Sequence, residues 1–538
     1  MLLDSAVQPD HVLGDHPKLI PTQLLAAKTF YLRVLHATLD APFKDPEALP
    51  FTSEPVDGIT MSEALAGPDA SLWRQAMDSE YQSLLDNCTW ELVPAPPQRK
   101  LVTCKWLLCK KLQSDALAAQ FRFLIHQMDV RTAFLHGELE EEIYMKQPPG
   151  YVSTEHLNYV CKILKSLYGL KQSPHQWYRH FHQCMLDLGY IRFTSEPNIY
   201  TRHTRGVFFL PAIYVDDILL LSNSEPALLT AKEDLQSVFS MTDMGSLHFC
   251  LGIQVFQDPS KGSIHICQES YTQSLLKKFS METCKGIDTP LPANVKIKQA
   301  DSLATTATSS SPFPYANILG GIRYLVTCTR PDISFAANVL SRFLSSPGAM
   351  HIQYLKRVMR CLQQTKKLGL TYLSVTPQPS PSLNGYSDAN WGGDQDTLHS
   401  TSGYTYLLFG AALAWQSKKQ DRVTLSSTEA EYMTMTLSLK EGISLKNLLM
   451  ETILFKDEPL LLHCDNMSDI TLAKNLKHFR KTKHIAMKLH SIRELIAKGS
   501  LQLAHVRTEL QWPDFLTKSL PKAKHLMSCQ QLGLNSLK

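Results

Sequence analysis

Asp216 and Asp217 lie between two apolar runs in VFFLPAIYVDDILLLS (207–222), where ionised side chains are costly to place. A carboxylate withdrawn from water is unfavourable unless it is paired or binds a metal. Two readings fit the pair: a hairpin turn with two solvated Asp, or a divalent-metal site at a hairpin. Asp129, in HQMDVRTAFLHG, also closes an apolar run (Phe121, Phe123, Leu124, Ile125) and favours the second reading. Mg2+ takes hard oxygen ligands from separate elements and leaves positions for water and substrate phosphate. Asp129 with Asp216 and Asp217 would supply that set. Two ions ~3.5–4 Å apart can then support in-line attack of a 3′-hydroxyl on a phosphate.

Alternating strands and helices over residues 123–217 must position these carboxylates. Upstream, residues 62–87 space Leu72, Met77, Tyr81 and Leu84 at helical intervals, with a start at Ser62. Short strand-like pieces follow at 89–94 and 101–112, and another at 245–257. SLATTATSSSPF (302–313) reads as a linker, a helical block runs from Tyr315 to about Leu368, and TPQPSPS (376–382) reads as a second linker. The last domain reads as strand runs, a helix over 429–453, a strand over 460–465 and then basic helices. The chain thus divides into a linker or remnant of a preceding domain (1–58), a domain over 59–301, the linker 302–313 and a helical connection over 314–375. The linker 376–382, a domain over 383–520 and a tail over 521–538 complete it.

Composition bounds the class. The 538 residues suggest about three domains at ~100–200 residues each. With 44% hydrophobic and 19% charged residues, 30 Pro and 24 Gly, neither full disorder nor collagen fits. The net charge is only +4, so any nucleic-acid footprint must be local. Between Lys474 and Lys498 lie eight Lys/Arg (Lys474, Lys477, Arg480, Lys481, Lys483, Lys488, Arg493, Lys498) and one acid, Glu494. This run is either a solvated helical face or a phosphate-binding patch. The twelve Cys are scattered and form no C-x-x-C, so neither a disulfide scaffold nor a zinc module is expected. No signal peptide and no run of roughly 20 apolar residues is found. The expectation is a reduced intracellular protein of cytoplasm or nucleus, with no membrane partner.

Several segments together carry a family resemblance: WRQAMDSEYQSLLDNCTWELVP (73–94), HQMDVRTAFLHGELEEEIYMKQPPGY (126–151), CKILKSLYGLKQSPHQWY (161–178), YVDDILLLSNS (214–224) and LGIQV (251–255). RYLVTCTRPDISFAANVLSRF (323–343), YSDANWGG (386–393), SSTEAEY (426–432), CDN (464–466) and RKTKH (480–484) extend it. The chain resembles the reverse transcriptase and ribonuclease H region of a copia-type LTR retrotransposon polyprotein, over about 60–520. The resemblance implies an α+β and α/β multidomain chain: a right-hand palm polymerase with shortened fingers, followed by a ribonuclease H-like domain. It implies Asp129, Asp216 and Asp217 as catalytic metal ligands and Phe134 as the aromatic under the incoming sugar, although Phe134 by itself reads as a core aromatic. Tyr214, Lys171 and Gln172 would lie near template and nucleotide, and Leu251-Gly252 would hold the primer end. Asp388, Glu431, Asp465 and Asp514 match the four carboxylates of the second site. Glu431 is preferred to Glu429, which points about 200° around the helix. Lys474, Lys477, Arg480, Lys481 and Lys483 would bind hybrid. The implied cofactors are two Mg2+ or Mn2+ ions per active site. The implied partners are an RNA template, a DNA primer, dNTPs and an RNA–DNA hybrid.

The chain departs from that family in three places. Only 23 positions separate Trp106 from Asp129, and KLQSDALAAQF (111–121) looks like a junction from which a basic strand pair is missing. Without those cations the developing phosphate charge is met by metal alone, which predicts an impaired polymerase. Pro211 falls in the strand leading to Tyr214, where it removes a ladder donor. Ala486 replaces the family's usual Asp. The alternative is a catalytically silent relic, at most a nucleic-acid-binding protein.

Overall fold

The computed structural model describes residues 2–3, 61–67, 70–97, 99, 101–105, 124–168, 170, 172–202, 207, 209–258, 263–299, 313–373, 382–452, 457–474 and 486–536. The junction 111–121, Lys171, the linker residues 302–312 and 376–381, and Lys477, Arg480, Lys481 and Lys483 lie outside them. The described residues form two units, one ending at Leu247 and the other beginning at His248.

In the first unit the helical spacing of 62–87 is realised as two helices, α1 (Met61–Ala66) and α2 (Ala70–Asp86). Strands β1 (Trp90–Pro94), β2 (Leu124–Val130), β3 (Glu138–Met145) and β4 (Tyr159–Lys165) follow, then helix α3 (Ser173–Asp187). After these come β5 (Phe209–Tyr214), β6 (Asp217–Ser222), helix α4 (Glu225–Val238) and β7 (Met241–Ser246). The palm sheet is antiparallel in the order β7-β2-β6-β5, and a smaller sheet runs β1-β4-β3. β6 and β5 are buried along almost their whole length, which explains why they read as continuous apolar runs rather than alternating ones. Trp177, Phe181 and Met185 of α3, with Leu228, Ala231 and Leu235 of α4, complete this core.

Pro211 costs this sheet no ladder bond. β5 is an edge strand, and the Ile213 N–H points away from β6 to the Asn198 carbonyl at 3.0 Å. Pro211 is two residues earlier and has the same orientation, so its missing donor falls on the outer side. Lys232 of α4 is buried and is bound to Asp243 of β7 at 2.7 Å and to His126 Nδ1 of β2 at 2.7 Å. Burial, followed by the Lys232 charge, pushes the His126 imidazole down to about 4.

The second unit opens with β8 (Phe249–Cys250), β9 (Ile253–Asp258) and β10 (Ser263–Cys267). Helices α5 (Glu269–Lys278), α6 (Tyr315–Cys328), α7 (Ser334–Ser341) and α8 (Ala349–Gln364) then build one apolar cluster. Between α6 and α7, Arg330 forks onto Asp332 with Nε–Oδ1 at 2.8 Å and Nη2–Oδ2 at 2.7 Å, and both side chains are buried. Strand β11 (Leu368–Leu373) joins β10 in a sheet that the chain's last strand will close.

The last segment contributes β12 (Asn384–Asn390), β13 (Thr401–Leu408), β14 (Ala411–Lys419), helix α9 (Ser427–Glu451) and β15 (Leu460–Cys464). Helices α10 (Met467–Lys474) and α11 (Ala486–Ala497), strand β16 (Leu501–His505), helices α12 (Asp514–Thr517) and α13 (Lys522–Gln531) and strand β17 (Leu534–Ser536) follow. β17 pairs with β11, and the main sheet runs β14-β13-β12-β15-β16. It is antiparallel from β14 to β12 and parallel from β12 to β16, the strand order 3-2-1-4-5 of a ribonuclease H-like domain. Ser426 caps α9 by accepting from the Glu429 N–H at 3.2 Å. Gly442 in mid-helix lets α9 press against Tyr406, whose ring occupies the space a Cβ would need. Among the described residues no helix is long and apolar enough to cross a membrane.

Candidate active sites

The first acidic group is built by a hairpin. β5 ends at Tyr214, β6 begins at Asp217, and Val215 and Asp216 make the turn between them. Val215 has φ 54°, a strained conformation for a β-branched residue. Its surroundings hold it: Trp177 Nε1 donates to the Val215 carbonyl at 2.6 Å, and the Val130 N–H to the Asp216 carbonyl at 2.8 Å. β6 pairs with β2 so that Asp217 stands opposite Asp129, and cross-strand partners share a face. Gln127, two residues before Asp129 and so on the same face, donates Nε2 to Asp217 Oδ1 at 2.7 Å. Asp129, Asp216 and Asp217 are all half-buried. They are brought to one end of the sheet, but not all within 4.8 Å of one another.

The other described residues that the sequence points to for this activity are buried or half-buried. Phe134 is 6% exposed and lies edge-on to Tyr168, with ring centroids 4.5 Å apart. Burial, then the Asp216 charge, pushes the Tyr168 hydroxyl far above its ordinary range, and that hydroxyl hydrogen-bonds Asp216. Gln172 stands at the start of α3, where its carbonyl accepts from the His175 and Gln176 N–H groups. Leu251 and Gly252 make the β8–β9 turn in the second unit, with φ 48° and 71°, and the Tyr324 hydroxyl donates to the Leu251 carbonyl.

The second acidic group is tighter. Asp388 comes from β12, Glu431 from the first turns of α9, and Asp465 from the position just after β15. One carboxylate oxygen of each lies within 4.8 Å of the others. The Ala389 N–H donates to Glu431 Oε1 at 3.1 Å, and the Thr517 hydroxyl to Asp388 Oδ2. Glu429 is used differently, with Oε2 accepting from the Leu425 N–H at 2.7 Å at the helix start. Burial, with Asp514 and Asp465 adding charge, pushes Asp388 up to about 6. Burial and then Asp388 and Asp465 push Glu431 well above the carboxylate range. Three crowded carboxylates offering hard oxygens fit a divalent ion of the Mg2+ or Mn2+ kind.

Asp514 stands apart from that trio. It is buried at the start of α12 and ion-paired to Lys518 at 2.8 Å and to Lys524. Lys518 is held charged, since Asp388 and Asp514 outweigh the burial that opposes it. Sequence reading passes over Lys518 and Thr517, although the i,i+4 spacing of Asp514 and Lys518 was a usable signal. Gln127 is also missed, although strand alternation puts it beside Asp129. Of the basic run, Lys474 is exposed at the end of α10, whereas Arg493 gives Nη2 to the Leu472 carbonyl at 2.8 Å and Lys498 pairs with Glu494 at 2.6 Å.

A reverse transcriptase-type palm hairpin and a ribonuclease H-like sheet with its acidic trio thus share one chain. The reverse transcriptase (RNA-dependent DNA polymerase) family matches residues 111–293. The chain is 34% identical over 520 residues to the retrovirus-related Pol polyprotein from transposon TNT 1-94 of Nicotiana tabacum, covering 89% of this chain and 39% of that one. It is 35% identical over 315 residues to a transposon Ty5-1 protein of Saccharomyces cerevisiae, covering 58% of this chain and 100% of that one. A foamy viral protease-reverse transcriptase in complex with dsDNA aligns with a TM-score of 0.44 at 11% identity, over 81% of this chain and 83% of that one. The chain belongs to the copia-type retrotransposon Pol polyproteins, and it spans 39% of the length of the tobacco relative.

Proposed function

We propose that the chain is an RNA-directed DNA polymerase joined to a ribonuclease H that cleaves the RNA of an RNA–DNA hybrid. Its partners are then an RNA template, a DNA primer, dNTPs and the hybrid. The observation that carries the nuclease reading is the convergence of Asp388, Glu431 and Asp465 from β12, α9 and β15. A divalent pair bound there supplies water activation and neutralises phosphate charge. The chain's own contribution is orientation: Thr517 fixes Asp388, and the Ala389 N–H fixes Glu431. Lys518, charged beside Asp388, offsets part of the carboxylate repulsion. The basic run from Lys474 would hold the hybrid backbone, so binding should weaken steeply with salt.

The polymerase reading is supported by the Asp129–Asp217 register with Asp216 in the adjoining β5–β6 turn. We propose that this activity is impaired, because the segment between Trp106 and Asp129 is too short to bring basic strands to a triphosphate. Incubating the full chain with labelled RNA–DNA hybrid, single-stranded RNA and duplex DNA tests the function. The reading expects hybrid-selective cutting that requires Mg2+ or Mn2+ and stops with chelator. Equal inertness toward all three would favour the silent-relic alternative.

A further inference from the structure

We propose that Asp469 is a further anionic group of the nuclease site, raising its affinity for divalent ions without touching substrate. This rests on reading Asp388, Glu431 and Asp465 as the metal set. Asp469 lies in the first turn of α10, four residues beyond Asp465, and is fully buried. Its backbone is accounted for. The N–H donates to the Asn466 carbonyl at 3.2 Å, and its carbonyl accepts from the Tyr432 hydroxyl at 3.1 Å, Tyr432 being the neighbour of Glu431. Its side chain is poorly accounted for: neither carboxylate oxygen meets a donor at good hydrogen-bond geometry, and the Thr428 hydroxyl is the one polar group close enough to favour its charge.

A buried carboxylate with no cation and at most one weak hydroxyl donor is a standing cost to the fold. A structural ion pair would explain it, and the basic side chain that acts on the adjoining Tyr432 is Arg493 of α11. Arg493 instead gives Nη2 to the Leu472 carbonyl at 2.8 Å and leaves its Nε without a partner. The other groups facing Asp469 are Thr428, Glu431 and Tyr432 of α9, and Cys464 and Asp465 at the end of β15. Its charge raises Glu431, Tyr432 and Cys464. Burial and then Asp465 push Asp469 itself up to about 7, against the Thr428 hydroxyl. Asp469 therefore adds repulsion to a site already crowded with like charge, and a bound dication is what turns that repulsion into attraction. Even well screened, one further anion within ~10 Å should change affinity for a dication by on the order of tenfold.

Calorimetric titration of Mn2+ into the metal-free full chain tests this without reference to catalysis. Asp388→Asn identifies the part of the isotherm that belongs to the nuclease site. Asp469→Asn should weaken that part by on the order of tenfold, with unchanged stoichiometry and no fall in metal-free melting temperature. Asp469→Ser serves as a second variant if the Asn chain does not melt cooperatively. Superimposable isotherms for wild type and Asp469→Asn overturn the proposal, as does a lowered metal-free melting temperature with unchanged affinity. Loss of cooperative melting in both variants assigns Asp469 to the fold and overturns it too. Wild-type and Asp388→Asn isotherms that coincide would remove the metal-site reading along with the inference.

Discussion

Asp217 stands directly opposite Asp129 across β6 and β2, and Gln127 on the same face holds Asp217 Oδ1 at 2.7 Å. The palm carboxylates are therefore set by strand register, with one oxygen already fixed by a neutral donor.

Removing that donor should be felt modestly. Gln127→Ala deletes a hydrogen bond to a charged acceptor at a half-exposed position, so it should cost about 1 kcal/mol of stability. Urea denaturation of the two chains checks the value. A change indistinguishable from zero would mean that solvent replaces the amide without penalty.

The polymerase should be weak. Primer extension on poly(rA) with Mg2+ or Mn2+ should give slow, short products, and Asp216→Asn should abolish them. Robust extension that Asp216→Asn abolishes would show that the shortened segment before Asp129 still meets the triphosphate.

Asp388 makes a pH prediction. Its folded-state value is raised to about 6 by burial, from an ordinary 3.8. Its stabilising contribution is therefore fully present below about pH 4 and lost as pH rises through about 6. In the metal-free chain the advantage of Asp388→Asn in melting temperature should grow across that window, corresponding to on the order of 2–3 kcal/mol. Saturating Mg2+ should shrink it. A pH-independent difference between the two chains would contradict the burial argument.

Arg330 and Asp332 are a buried fork, with burial opposing both charges and their mutual attraction overcoming it. Asp332→Asn strands the guanidinium and should cost about 3–5 kcal/mol. Thermal unfolding followed by circular dichroism would detect it, and a loss below about 1 kcal/mol would place the pair in the range of exposed ion pairs.

Much of this architecture is legible in the residues. The apolar runs around Asp216 mark β5 and β6, and the helical period sets Glu431 and Glu429 about 200° apart, while the choice of Glu431 comes from the family resemblance; the structure uses Glu429 at the start of α9. Pro211 reads as damage only because sequence does not show that β5 is an edge strand. Asp469 escapes notice because a carboxylate in the first turn of a helix is ordinarily solvated there and favoured by the helix dipole. Its burial depends on α9 and α11 packing over α10, a tertiary fact with no local signal. Asp514 is legible as acidic and conspicuous, but its two lysine partners come from the α12–α13 fold-back.

The most direct test of the central claim is hybrid cleavage by the full chain with Mg2+, compared with its Asp465→Asn variant. Removing one of three converging carboxylates takes away a metal ligand while leaving the fold intact. The account predicts cutting by the wild-type chain and none by Asp465→Asn at matched circular dichroism. A folded wild-type chain that cuts no better than Asp465→Asn would contradict it.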